Sequence, residues 1–244
     1  YNDQESMVSG TLAGYLESVD VINCSAYVDL TLAPDKNNKE QLKQYGIFVL
    51  STLQYGSLQG GLIGAIEGGK MEKSFAALPL VQTVSSYGRA GGLVCAASNT
   101  TIICCYANNT KLSGGELGGF AFTMANSRVQ ECYAAGTLAV SQTSAGFVTL
   151  AQNSEIYNSY AAMSYEKTYG QHDCGFAILD EKSPSTFNGC YYVVNVVDGA
   201  MPGKKGESKE DPQNVYAIVY YDMMRMTEFG GSVIDENGTP RRAW

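Results

Sequence analysis

One repeat constrains this chain more than any other feature. Its register is set by a small, usually glycine-containing pair followed by a large apolar residue: Gly10-Thr11-Leu12, Gly60-Gly61-Leu62, Gly91-Gly92-Leu93, Gly118-Gly119-Phe120, Ala145-Gly146-Phe147 and Cys174-Gly175-Phe176. Ten residues past the middle residue of each triplet comes an apolar position (Val21, Met71, Ile102, Val129, Ile156), and thirteen past it a small one (Cys24, Ser74, Cys105, Cys132, Ser159). The next column is aromatic in Phe75, Tyr106, Tyr133 and Tyr160, with Ser25 in the first copy. Ala26, Ala76, Ala107, Ala134 and Ala161 follow it. The sixth copy keeps this order after a two-residue insertion near Ser183-Pro184, through Phe187, Cys190, Tyr191 and Tyr192. Columns in phase over six copies establish an internal repeat, and a repeat decides architecture before any single element does.

A unit of about 27 residues is too short to enclose its own core, so the copies must bury their apolar faces on one another. The unit is rich in β-branched, aromatic and glycine residues and shows no 3.6-residue period, which predicts strands rather than a helix pair. Stacked coils give each strand a neighbour about 4.8 Å above and below, and each column becomes a ladder of like residues. The expected fold is all-β, a parallel β-helix (β-solenoid) of about six coils forming a rod roughly 29 Å long. The crossover rule for parallel strands favours a right-handed helix. Leucine-rich and propeller repeats fail on pattern, because neither a Leu-x-x-Leu-x-Leu unit nor a Trp-Asp signature occurs.

Two stretches break the period and define the organisation. Residues 1–200 read as solenoid with an insertion at 33–57, charged from Asp35 to Lys43 and apolar from Ile47 to Leu53, expected as a loop with a short helix. Residues 201–244 read as a capping or linking segment, with a Gly/Pro/Lys/Glu-rich loop, an apolar run from Val215 to Tyr221 and a short helix at Asp222 to Phe229. The N-terminal end reads as uncapped, as a cut from a longer array would, and open edge strands at either end of a solenoid recruit other strands.

Charge narrows the partners. A net charge of −8 with no basic cluster beyond Lys204-Lys205 and Arg241-Arg242 argues against nucleic acid or an anionic membrane surface. No apolar run approaches the roughly 20 residues that span a bilayer.

Several residue sets carry candidate chemistry. Seven cysteines lack the spacing of a disulfide scaffold or zinc site. Four of them (Cys24, Cys105, Cys132, Cys190) share one column with serine, which reads as a small buried position rather than a reactive one; Cys95, Cys104 and Cys174 stand outside it. The aromatic column Phe75, Tyr106, Tyr133, Tyr160 and Tyr191 is the candidate binding feature. If the flanking Cys and Ala point inward, alternation sends these rings outward as a strip able to meet sugar rings or another protein, or to serve only as a stabilising stack. The single histidine, His172, lies two residues from Cys174, a weak nucleophile–base pair. One histidine also excludes a His-Glu-x-x-His zinc site, and no metal or cofactor is expected. Carbohydrate-active β-helix enzymes need converging carboxylates, whereas Glu17, Asp20, Glu67, Glu72, Glu131, Glu155, Asp180 and Glu181 are spread over several repeat positions and are not expected to form a cluster. No catalytic residue is assigned. Four Asn-x-Ser/Thr triplets (Asn23, Asn99, Asn108, Asn237) carry no weight, because three-letter matches arise easily by chance.

The segments GGLVCAASNTTIICCYA (Gly91 to Ala107) and GGFAFTMANSRVQECYAAG (Gly118 to Gly136) resemble the GLUG motif, in which a Gly-Gly-Leu-Val-Gly opening is followed by an Ile-x-Asn-Cys-Tyr-Ala-like strand. The likeness covers roughly residues 9–197. The last glycine of the opening is kept at Gly14 and Gly64 and replaced by Cys95, Phe122, Thr149 and Ile178 elsewhere, which suggests a locally individual core. The motif occurs in large bacterial cell-surface proteins, many adhesin-like, and in the non-catalytic part of some IgA-cleaving metallopeptidases. The resemblance therefore implies an extracellular, non-catalytic module that binds a host or environmental glycan or surface protein, or acts as a rigid spacer between neighbouring modules. The alternative of another class is a carbohydrate-active β-helix enzyme, a lyase or glycosidase.

Overall fold

The computed structural model describes residues 8–27, 47–49, 57–83, 87–166, 172–193 and 214–218, and these contain strands and turns without helix. The pairings are parallel throughout, so the chain winds as a β-solenoid whose coils stack on three faces. The first face holds Ala13–Glu17, Ile63–Glu67, Val94–Ser98, Ala121–Ala125, Val148–Gln152 and Ala177–Leu179. The second holds Val21–Ile22, Lys70–Glu72, Thr101–Ile103, Arg128–Gln130, Glu155–Tyr157 and Thr186–Asn188. The third is longer. Its central coils are single strands, Tyr106–Gly118 and Tyr133–Ala145, while the coil before them is broken into Phe75–Ala77, Val81–Thr83 and Arg89–Gly91. Six strands per short face amount to about five full turns.

Register follows the sequence columns. Met71, Ile102, Val129, Ile156 and Phe187 pair in succession, as do Phe75, Tyr106, Tyr133, Tyr160 and Tyr191. The inward columns form one continuous core. Leu62, Leu93, Phe120, Phe147 and Phe176 line it fully buried, and the three phenylalanines stack at 4.6 and 4.8 Å, tilted 8° and 5°. Such ring pairs add about 0.5–1.5 kcal/mol each beyond their burial. Ile63, Val94, Ala121, Val148 and Ala177, each next in sequence to one of these residues, belong to the same core. Phe187 meets Phe176 edge-on and ends the stack.

Corners set the triangular section, each by different chemistry. Between third and first faces the glycine column brings backbones together. A Cβ on Gly92 would lie 1.9 Å from the Gly119 carbonyl oxygen, and one on Gly119 would lie 1.9 Å from that of Gly146. The other two corners turn through left-handed residues. Ser18, Gly68, Asn99, Asn126 and Asn153 make the first-to-second corner. Asn23, Lys73, Cys104, Glu131, Asn158 and Gly189 make the second-to-third, all at φ between 47° and 71°. Asparagine and glycine tolerate this region; for lysine, cysteine and glutamate it costs about 1–2 kcal/mol.

After each of these corners comes a buried hydroxyl or thiol that continues the ladder where no strand pairing exists. Thr100 N–H donates to Ser127 Oγ (3.2 Å) and Ser127 N–H to Ser154 Oγ (3.1 Å); each serine hydroxyl donates back to the carbonyl two residues earlier. The Ser/Cys column does the same: Ser74 N–H to Cys105 Sγ (3.4 Å), Cys105 N–H to Cys132 Sγ (3.4 Å), Cys132 N–H to Ser159 Oγ (3.2 Å). Cys105 and Cys132 donate in turn to Ile103 O and Gln130 O, both at 3.2 Å. The column therefore requires a group that both accepts and donates, which is more than the smallness expected of it. Cys105, Cys132 and Cys190 are buried, whereas Cys24, on the first coil, is half-buried.

The irregular stretches add strands where they are described. Ile47–Val49 of the insertion pairs in parallel with Val81–Thr83, so this apolar portion is strand rather than the expected loop and helix. Val215–Ile218 of the tail pairs with Cys190–Val193 and extends the third face. The rest of both stretches, including the helix expected at Asp222 to Phe229, lies outside the described residues. On the first coil, Leu12, Tyr15, Val19, Ile22 and Tyr27 are exposed, because no described strand pairs on its far side.

Candidate functional site

The aromatic column sits on the outer side of the third face. Its neighbours Ala76, Ala107, Ala134 and Ala161 belong to the main core, while Tyr160 packs with Tyr133, Tyr191, Ala162, Val193 and Ile218 in a separate cluster. Phe75, Tyr106, Tyr133 and Tyr160 stack at 4.5, 4.9 and 5.0 Å with tilts of 4°, 2° and 6°. Tyr216 of the tail continues the column against Tyr191 at 5.6 Å and 38°. The ring spacing is the coil spacing, so parallel stacking follows from register alone. Ring faces are thereby turned toward ring neighbours: Tyr106 and Tyr160 are 6% and 7% exposed. Phe75, Tyr133 and Tyr191 are half-buried, and burial raises the Tyr191 phenol.

A second outward feature runs along the first-to-second corner. Asn99, Asn126 and Asn153 are exposed, and among the described residues their side-chain amides have no protein partner. With Thr101, Arg128 and Glu155 they line an open trough of about 240 Å³ whose floor is Thr100 and Ser127. Arg128 and Glu155 are register partners of opposite charge, and the Arg128 guanidinium lies over the Tyr157 ring at 5.4 Å. Sequence reading missed this site. Its signal was an asparagine seven residues past the triplet centre in three successive copies, hidden behind the glycosylation-like triplet at Asn99.

The residues that replace the last motif glycine do not enter the core. Cys95, Phe122, Thr149 and Ile178 are buried outside the main cluster, in a seam at the third-to-first corner. There Cys95 donates to Arg89 O at 3.4 Å, Thr149 to Leu117 O at 2.6 Å, and the Arg89 guanidinium covers the Phe122 ring at 5.1 Å. The sequence suggested a locally individual core; the individuality lies in this outer seam.

Reactive groups are dispersed. All seven cysteines are free, and burial pushes Cys95 up to about 12 and Cys190 up to about 11. Burial and the Glu131 carboxylate, which accepts the thiol hydrogen bond, push Cys104 up to about 11. Such thiols are the opposite of activated nucleophiles. Cys174 is buried, and the side chain of His172 lies outside the described set. Glu72 is held below its usual range by the hydrogen bond it accepts from Lys70, and Asp180 by those from Gln152 and the Lys182 backbone. Glu67 accepts from Tyr15, and Glu131 from Cys104 and Gln130. Among the described residues no group of three or more His, Cys, Asp or Glu is placed to hold a metal ion. No helix among them is long and apolar enough to cross a membrane. Comparison with protein-family models, with curated proteins and with solved structures finds no match to this chain.

Proposed function

We propose that this chain is a non-catalytic β-solenoid module of a larger bacterial cell-surface protein, adhesin-like, that binds a host or environmental glycan or surface protein. The observation that carries this reading is the repetition of one outward chemistry on coil after coil, foremost the aromatic strip from Phe75 to Tyr191. A rigid surface with a fixed repeat suits a polymeric or extended ligand, and tyrosine is a residue type favoured in recognition surfaces. The GLUG-like openings support a place outside the cell and neighbouring modules in the parent chain. Glu72 and Asp180 are held ionised, which is the reverse of what a general acid requires.

A second reading has its own observation. The rings of the strip cover one another's faces, as a spacer rod with no ligand would need for stiffness alone. The two readings separate in a binding screen of the protein against glycans and extracellular-matrix proteins, run beside the Tyr133→Ala/Tyr160→Ala variant. Retained signal that the variant loses supports the binding module and its strip. Silence across both arrays favours the spacer. Ligand returned in degraded form would replace both with a carbohydrate-active enzyme.

A further inference from the structure

We propose that the trough along the first-to-second corner, centred on Asn126, binds an extended neutral glycan whose hydroxyls are held by the amides of Asn99, Asn126 and Asn153. This rests on the reading of the chain as a binding module, and it names a site and a ligand class for it.

The left-handed corner favours asparagine, which also fills the other corner at Asn23 and Asn158. At the trough's corner the same column is served by Gly68 and Ser18 on the first two coils, so the left-handed turn does not require an amide. Three successive coils nevertheless present one, at φ of 51°, 49° and 47°, each exposed and lining the trough. The floor hydroxyl of Ser127 is engaged with Thr100 N–H and Ala125 O, which leaves recognition to the amides above it.

Ligand chemistry follows from donors, charge and pitch. A carboxamide offers two donors and an acceptor without charge, matching a hydroxyl that both gives and takes a hydrogen bond. Among the described residues the charges on the lining are Arg128 and Glu155, opposite in sign and adjacent in register, so the trough favours neither a polyanion nor a polycation. Phosphate-bearing chains bind instead through clustered Lys and Arg. The amides recur at the coil spacing of about 4.8 Å, whereas an extended peptide advances about 3.3 Å per residue and falls out of step. An extended β-linked glycan advances by nearly one coil per sugar, so a hydroxyl-bearing edge comes within reach of the amide on each coil, equivalent edges recurring on alternate coils.

The test titrates cellohexaose and N-acetylchitohexaose into the protein, reading heat and backbone amide shifts, for the wild type, the Asn99→Gly/Asn126→Gly/Asn153→Gly variant and the Tyr133→Ala/Tyr160→Ala variant. Glycine keeps the left-handed corner and removes only the amides, and circular dichroism confirms that the coils remain. Asn126→Asp, which keeps shape and loses the donors, is the second probe of the same point. The expected result is saccharide binding that falls at least about tenfold in the triple-glycine variant and clearly in Asn126→Asp. Binding that survives the glycine variant within about twofold overturns the trough while the module reading stands. Binding lost only in the tyrosine variant moves the site to the aromatic strip and overturns the trough as well. Absence of binding to either saccharide also overturns it, and the matrix-protein array then decides the module reading by itself.

Discussion

Replacing Ser159 by alanine separates two accounts of the Ser/Cys column. Ser159 is fully buried; its hydroxyl accepts Cys132 N–H at 3.2 Å and donates to Tyr157 O at 2.8 Å. Truncation leaves the Cys132 N–H, 1% exposed as a residue, without an acceptor. Orphaning a buried donor costs about 1–3 kcal/mol. Tyr157 O loses less, because Glu131 N–H still donates to it at 3.2 Å. The expected loss is therefore about 2 kcal/mol, or roughly 4–8 °C in Tm for a domain of this size. If the column required only small volume, alanine would fit with a change below about 0.5 kcal/mol. Ser159→Cys restores the donor and acceptor seen at Cys105 and Cys132 and should lie within about 1 kcal/mol of wild type. Urea unfolding of the three proteins measures this, and hydrogen exchange at the Cys132 amide localises it. An alanine variant as stable as wild type, with that amide still protected, would refute the hydrogen-bonding account.

Four further outcomes follow from the same geometry. Lys73→Asn relieves a left-handed lysine (φ 49°) at a column already occupied by Asn23 and Asn158, and should raise stability by up to about 1 kcal/mol in urea unfolding; a decrease would count against strain there. Gly119→Ala would place a Cβ 1.9 Å from Gly146 O and should cost more than about 3 kcal/mol or abolish folding, read by circular dichroism and melting. Thiol labelling of the native protein should modify Cys24 while sparing Cys105, Cys132 and Cys190; rapid reaction of the buried three would contradict their placement. Stability should fall in alkali. Cys95 and Cys190 keep their protons to about 12 and about 11 when folded, against 9.0 for the ordinary thiol, so the folded state binds more protons. Their contribution is complete below pH 9 and is lost as pH rises to 11–12, with a limiting slope of about 2.7 kcal/mol per pH unit for the pair. A Cys95→Ser/Cys190→Ser variant with the same alkaline slope would sink that assignment.

The candidate surfaces were legible to different depths. The aromatic strip could be read from the sequence because its position in the repeat is one residue from a column that is alanine in five of six copies, and strand alternation fixes opposite sides for neighbours. Whether a ring face or a ring edge meets solvent was not legible. It depends on the coil spacing bringing Tyr106, Tyr133 and Tyr160 into parallel contact, which a single copy of the repeat does not contain. The asparagine trough was visible as letters and invisible as a site, since its meaning lies in a positive φ and a corner shape.

By itself the sequence determined the all-β repeat, its period, its register and therefore which residue lies above which. A stack of coils maps each position onto its equivalent one unit later, so periodic chemistry becomes a ladder without further information. Tertiary structure alone decided the corners, the strand at Ile47–Val49, the hydroxyl and thiol relay between coils, and the placement of Cys95, Phe122, Thr149 and Ile178 in an outer seam. Those features depend on backbone dihedrals and on contacts between atoms of different coils. A list of residue types does not specify either until the coils have closed on one another.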